Sequence, residues 1–313
     1  MLASLIFSLS ITGPIFIVMG LGIWLNKTQR IDDHFVDVGS KLVFNVTLPA
    51  LLFINVANTS LHSVTNPLML TIGIGGTLVA FTLLEAMAKY WVREPSDRGV
   101  VVQGGFRANM GIIGLAYCFN AYGNEGLATA SIYLGIVTIV YNVLSVITLT
   151  KSQQGGFKIA NTLRGIAKNP IILSLIAALP FSWFDVGLPA WIERTGSYFA
   201  QMTLPLALLC TGASLPLNAL RSNLRNTLLA GSVKLIVMPL GMTAAGIVFG
   251  LNGMELGVLA MMCAAPTAAA SYVMVRAMGG NAKLAATIIA ATTLGSIFTN
   301  SVLIGGLHHW GWL

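Results

Sequence analysis

The feature that most constrains this chain is a series of ten long apolar runs, each about the length that crosses a hydrocarbon core. A spanning helix needs about 20 consecutive apolar residues. Such runs fall at 5–25, 35–58, 67–91, 99–121, 127–149, 169–184, 190–217, 227–250, 254–276 and 284–307. The sixth is short, and Pro180 stands inside it as a candidate stop. The connections are short too. The longest, about 150–168, holds Gln153, Gln154, Gly155 and Gly156 and reads as a flexible hinge between two halves. Only 9% of the residues are charged and 56% are hydrophobic, against about 25% charged in a soluble domain. No soluble fold hides that much apolar surface, so the solvent is lipid and the fold class is an all-α integral membrane protein. No Lys or Arg precedes the first run and no small-residue cleavage site follows it, so 5–25 is expected to stay as a membrane helix.

The net charge of +7 is distributed as topology requires. One set of connections and helix ends carries thirteen cations: Lys27, Arg30, Lys89, Arg93, Arg98, Lys151, Lys158, Arg164, Lys168, Arg221, Arg225, Arg276 and Lys283. The opposite set carries only Arg194. By the positive-inside rule the basic side is cytoplasmic, and ten spans then leave both termini on the non-cytoplasmic side. No basic tract is interleaved with aromatics, so no nucleic-acid partner is expected.

Other chemistries find little support. Cys118, Cys210 and Cys263 all lie inside apolar runs without a CxxC pair, which suits small buried residues rather than zinc or disulfides. His34, His62, His308 and His309 fall at connections or span ends, and no metal site is expected. Gly73, Gly75 and Gly76 suggest close helix packing, since no GxxxxGK[ST] motif is present. An enzyme needs a clustered constellation at the membrane boundary; paired aspartates in a helix, HExxH and a Ser/His pair are all missing, and Asp32-Asp33 reads as a solvated turn.

The halves resemble each other at an offset of 156–157 residues. Thr47-Leu48-Pro49 matches Thr203-Leu204-Pro205, and Pro14-Ile15 matches Pro170-Ile171. Gly39-Ser40 matches Gly196-Ser197, Gly123-Asn124 matches Gly280-Asn281, and Leu127-Ala128 matches Leu284-Ala285. Five spans per half is an odd number, so residues 153–313 enter the membrane from the side opposite to residues 1–152. That is an inverted-topology repeat, a common carrier architecture. Such carriers break a helix in each half near the midplane, and broken backbone is tolerated in lipid only where it lines a cavity or finds partners. Asn109 of the fourth span falls on Pro266 of the ninth at offset 157. Asn suits an N-cap and Pro the first position of a helix, so each is expected to start a half-helix at mid-depth.

The ordered set Leu48-Pro49-Ala50-Leu51-Leu52-Phe53, Phe106-Arg107-Ala108-Asn109 through Gly114, Leu204-Pro205-Leu206-Ala207-Leu208 with Thr211-Gly212-Ala213-Ser214-Leu215, Lys234 to Pro239, and Ala265-Pro266-Thr267 resembles the auxin efflux carrier family over essentially the whole chain. That family includes bacterial malonate and malate permeases and is related to plant PIN carriers. The resemblance implies a fold like that of sodium/proton antiporters and bile-acid symporters. Spans 1, 2, 6 and 7 would form a scaffold, and spans 3–5 and 8–10 a moving transport domain with spans 4 and 9 crossing as broken helices. It also implies a carboxylate substrate, a homodimer and the bacterial inner membrane. The long cytoplasmic loop of the plant carriers is missing, so auxin itself is not carried over.

Four charges stand deep in the runs: Lys41, Arg107, Lys234 and Glu85, an excess of two positive charges. Charges inside a bilayer pair, snorkel or serve function, and an anion at the crossing would offset this excess. Arg107 is suited to clamp a carboxylate; pairing with backbone carbonyls is the alternative. Lys234 has three open roles: substrate contact, coupling, or pairing with Glu85. Lys41 is expected to snorkel. Glu85 either pairs with Lys89 four residues on or serves as a proton-coupling carboxylate. The expected substrate-binding set is Arg107, Asn109, Gly111, Pro266, Thr267 and Lys234. Glu85, Asn45, Thr47, Pro49, Thr203, Pro205 and Ser271 form a coupling or supporting set. The expected function is secondary active transport of a small organic anion by an elevator mechanism, coupled to H+ or Na+ or to neither, with no cofactor. A membrane-embedded anion sensor is the alternative.

Overall fold

The computed structural model describes residues 2–58, 66–153, 170–215 and 223–312, and their regular structure is helical throughout. In chain order the helices are α1 Leu2–Lys27, α2 Asp33–Leu42, α3 Leu48–Ala57, α4 Pro67–Trp91, α5 Pro95–Phe106, α6 Leu115–Ser152, α7 Pro170–Trp183, α8 Ala190–Ala213, α9 Leu224–Ser232, α10 Met238–Val248, α11 Gly253–Ala264, α12 Ala270–Ala277 and α13 Ala282–His309. Short π turns join α2 to α3 (Val43–Thr47), lead into α6 (Met110–Gly114) and join α9 to α10 (Val233–Val237). Two of these have a common cause. Pro49 and Pro239 each stand two residues beyond the turn, and a proline ring crowds the carbonyl four residues back, so the preceding turn widens.

Among the described residues, six helical stretches are long and apolar enough to cross a membrane, and α7 and α11 are shorter apolar helices. Outward-facing Ile17, Leu83, Phe298 and Val302 are largely exposed. Apolar surface on that scale calls for lipid. One stretch, Met110–Ser152, is 43 residues long; straight, it would measure about 65 Å at 1.5 Å per residue, twice a hydrocarbon core of about 30 Å. It is not straight. Gly123 has φ 61 and ψ −145 inside it, a conformation that costs glycine least. Arg107, just before the stretch, hydrogen-bonds Asn142 and Ser145 near its far end. The chain therefore doubles back at Gly123, giving α6 two antiparallel arms.

Helix starts repeat along the chain. Asp33 and Ala190 are 157 residues apart, Pro67 and Leu224 also 157, and Pro95 and Gly253 158. The polar clasps repeat with them. Asn66 at the N-cap of α4 donates to Glu255 in the first turn of α11 at 2.5 Å. Asn223 at the N-cap of α9 donates to Asp97 in the first turn of α5 at 3.5 Å. Asn226 and Asn281 add 3.2 and 2.9 Å bonds to Asp97.

The helices pack in two sets, which meet where α1 packs on α13. α1 packs on α8, and α3 packs on α7 and α8. The α1–α8 contact is close enough that a Cβ on Gly212 would run into the backbone of Met19. α4 packs on α5 and α10, α5 on α6 and α9, α11 on α6 and α10, and α13 on α9 and α12. Two sequence expectations need amendment, and a third falls largely outside the described residues. α7 continues three residues past Pro180 to Trp183. Asp32 is not merely a solvated turn, since it caps α2 through Phe35 N at 2.7 Å. The expected hinge is described only to Gln153; its remainder lies outside the described residues, as do His62, Lys158, Arg164, Lys168 and Arg221.

Candidate functional site

Two helices stop in the interior and meet. α5 ends at Phe106 and α11 at Ala264, both fully buried or nearly so. Ala265 takes φ −54 and ψ 140, the extended geometry that a following proline imposes. Arg107, at φ −81 and ψ 107, is extended too. The two short extended pieces run antiparallel, bridged at Ala108 and Thr267. Asn109 N donates to Pro266 O at 2.7 Å, and Ala268 N donates to Arg107 O at 3.0 Å. Each interruption thus supplies the other's missing backbone partners, which is what permits it inside an apolar interior. Thr267 pins the join: its Oγ1 donates to Gly104 O at 2.7 Å and its N–H to Thr292 Oγ1 at 3.1 Å. Gly104 also lets α13 approach, because a Cβ there would stand 2.9 Å from Ile288.

The breaks restart differently from expectation. Asn109 does occupy the cap position of the Met110–Gly114 turn, but its side chain makes no cap bond. Its carbonyl accepts from Ile113 and Gly114 instead. Pro266 is not a first helical residue; α12 begins at Ala270, and Pro266 lies in the extended crossing. The reason is the bridge, which needs Pro266 O and Ala268 N in strand-like geometry.

The charges sort themselves clearly. Arg107 is 7% exposed. Its Nη1 reaches Ser145 Oγ at 3.0 Å and Met274 Sδ at 2.9 Å, and its Nη2 reaches Asn142 Oδ1 at 2.8 Å. Lys234 is 0% exposed, and its Nζ donates to Cys263 O at 2.8 Å. Cys263 is the penultimate residue of α11, so the ammonium caps the negative end of a broken helix dipole. Among the described residues neither cation has a carboxylate partner. Glu85 pairs with neither Lys89 nor Lys234: Lys151 reaches it at 2.7 Å and Thr148 donates to its other oxygen. Lys41 is exposed and is bonded to Asp37 one turn back at 2.7 Å.

The rest of the expected set is scattered. Gly111 faces Leu48, where a Cβ would make a 3.5 Å contact. Asn45 is exposed and bonds Lys41 O on its own helix. Thr47 and Ser271 are buried with hydroxyls that lack partners among the described residues. Thr203 returns its hydroxyl to Phe199 O. Pro49 is half-buried at the start of α3. Pro205 lines a cleft of about 860 Å³ between α1, α3 and α8 on one wall and the first arm of α6 on the other. That cleft also takes in Pro14, Leu51, Asn58, Ala116 and Glu193, but not Arg107, Asn109, Pro266 or Lys234. Expected residues Arg107, Asn109, Pro266 and Thr267 therefore come together at the crossing; of the supporting residues only Ser271 adjoins them, its N–H donating to Ala268 O at 2.9 Å. Gln103, Asn142, Ser145, Met274 and Thr292 were not expected there. Asn142 and Ser145 stand three apart within an apolar run, the one signal that would have raised them.

Comparisons with known proteins bear on the class of the chain. A family model described as "Membrane transport protein" matches residues 11–304. "Uncharacterized transporter YfdV" of Escherichia coli (strain K12) is 22% identical over 298 residues, covering 91% of this chain and 93% of its own length. "Putative malonate transporter" of Rhizobium meliloti (strain 1021) is 26% identical over 308 residues, covering 94% and 95%. "Uncharacterized transporter MJ1031" of Methanocaldococcus jannaschii is 24% identical over 280 residues, covering 88% of each. The match across the buried crossing and the apolar helices around it settles the class: the chain is a membrane transporter, not an enzyme, and it belongs to the membrane transport protein family of auxin efflux carriers.

Proposed function

We propose that this protein is a secondary active transporter of a small mono- or dicarboxylate, working by elevator-type alternating access. The observation that carries the reading is the reciprocal backbone pairing of the two breaks, Asn109 N with Pro266 O and Ala268 N with Arg107 O. Half-helix ends at mid-depth present partial charges to a ligand without exposing them to lipid. Two buried cations, which among the described residues have no carboxylate partner, stand beside them, and an anion is the ligand that would offset their charge.

In this reading the chain has ten spans in two inverted five-helix repeats, 1–152 and 153–313, with both termini on the non-cytoplasmic side of a bacterial inner membrane. The constant offset of helix starts and the paired Asn66–Glu255 and Asn223–Asp97 clasps support it. α1–α3, α7 and α8 form the scaffold, and the remaining helices form the moving body. The cleft, walled by helices of both groups, supports a substrate path along their junction. Arg107, Asn109, Gly111, Pro266, Thr267 and Lys234 form the substrate region. Glu85 is a structural ion-pair partner of Lys151 rather than a coupling group. A homodimer holds the scaffold fixed.

The Rhizobium relative's name makes malonate the first probe. Purified protein in proteoliposomes is tested for uptake across a carboxylate panel, with pH, sodium and membrane potential imposed separately. Carboxylate uptake that saturates supports the reading, and its dependence on the imposed gradients identifies the coupling ion as H+, Na+ or neither. Saturable binding without flux would return the sensor instead.

A further inference from the structure

Arg107 is well held by Ser145 and Asn142, but its third contact is a poor one. One nitrogen of its guanidinium faces the thioether sulfur of Met274 at 2.9 Å. The Gln103 amide reaches the same sulfur at 3.7 Å. A thioether is a weak acceptor, so two donors, one of them charged, converge on an atom that satisfies neither well. The surroundings are built for something better. Gln103 is 0% exposed, and among the described residues its amide N–H has no better acceptor than this sulfur. The Ser271 hydroxyl, one turn before Met274 on α12, is buried and unpartnered among the described residues. Met274 itself is half-buried, so it caps groups more deeply buried than itself. It sits on α12, an eight-residue helix that follows directly from the second break.

We propose that the Met274 thioether is a removable plug in an anion site formed by Arg107, Gln103 and Ser271, standing where a substrate carboxylate oxygen goes. This rests on the transport reading above and adds to it the residue that sets affinity. A carboxylate would accept a charge-assisted bond from Arg107, roughly twice as strong as a neutral one, and would take the amide and hydroxyl protons as well. Methionine suits a plug because it is unbranched, with three rotatable bonds, and swings aside without moving the backbone. Apparent affinity is the intrinsic affinity multiplied by the fraction of molecules with the plug out. Changing the plug therefore changes KM before it changes the turnover of the loaded carrier.

The test is radiolabelled malonate uptake into proteoliposomes by the full chain and two variants. Met274→Ala removes the plug and is expected to lower KM by about tenfold. Met274→Gln keeps the length but supplies an amide oxygen, a better acceptor for Arg107, and is expected to raise KM by about tenfold. Opposite shifts at one position, with maximal rates within about twofold, are not what a merely structural residue produces. Malonate uptake by the wild-type protein with both variants sharing its KM, or shifting it in the same direction, overturns the plug and leaves the transport reading intact. Failure of the wild-type protein to move malonate or any other carboxylate of the panel overturns both. The Gln variant is close to isosteric, so its KM remains a test even if the Ala variant does not fold.

Discussion

The two interrupted helices are alike in backbone and unlike in what they bring to it. The first break is short, Arg107 to Asn109, and is followed at once by a π turn. It carries a guanidinium held by three side chains from two other helices. The second break is longer, Ala265 to Ala269, and contains no charged residue. It is fixed instead by Thr267, through one bond to α5 and one to α13. Its cation, Lys234, comes from a neighbouring span. The contrast teaches that a shared backbone frame does not fix the chemistry: one break supplies charge and the other supplies rigidity.

Removing the charged break's guanidinium should have the largest effect. Arg107→Ala is expected to lower initial carboxylate uptake by about a hundredfold, in the range for lost charged hydrogen bonds, while elution and thermal unfolding stay near wild type. Arg107→Lys keeps the charge but loses the fork, so it should recover only part of the rate. Wild-type flux in Arg107→Ala would erase the division of labour between the breaks. Lys234→Met comes next, and its two readouts should separate. Replacing a buried, uncompensated cation with an apolar group of similar length is neutral to stabilising, so Tm should hold or rise. Uptake should fall about tenfold, because the cation no longer caps the end of α11. A fall in both would make Lys234 structural.

Thr267→Val is the corresponding test on the uncharged break. It is isosteric and removes one hydroxyl bond, leaving Gly104 O without its donor. A loss of about 1–2 kcal/mol in stability with only a few-fold drop in uptake is expected, and both should be smaller than for Arg107→Ala in uptake. A larger loss of transport than Arg107→Ala would reverse the assignment of roles.

The frame was legible because its signals are local. A run such as 67–91 declares its length and its ends by composition alone, and α4 occupies those residues. The breaks were legible because Asn109 and Pro266 disrupt apolar helices at matching offsets. The contacts of the charges were not. Glu85 has Lys89 at helical spacing, yet its partner is Lys151, 66 residues on, because the second arm of α6 passes beside α4. Arg107 reaches Asn142 and Ser145 only because Gly123 folds α6 back on itself. No periodicity encodes that return. Asp37 and Lys41, by contrast, stand four apart and their pairing was readable from the sequence.

The smallest expected differences lie at the outer ends of the same two half-helices. Asp97 and Glu255 occupy corresponding first turns, where a carboxylate is favoured by the helix dipole. Asp97 receives three amide groups and is 5% exposed, while Glu255 receives one and is only half-buried. Neutralising a carboxylate weakens every charged bond it accepts, and burial decides how much water can replace. Asp97→Asn should therefore cost roughly 2 kcal/mol and Glu255→Gln less than about 1 kcal/mol, measured as thermal unfolding in detergent. Neither should shift the KM for the transported carboxylate, since both residues lie a whole half-helix away from the crossing. Equal destabilisation by the two variants would mean that the repeat preserved the energetics of its ends as well as their geometry, and the asymmetry would then be confined to the breaks themselves.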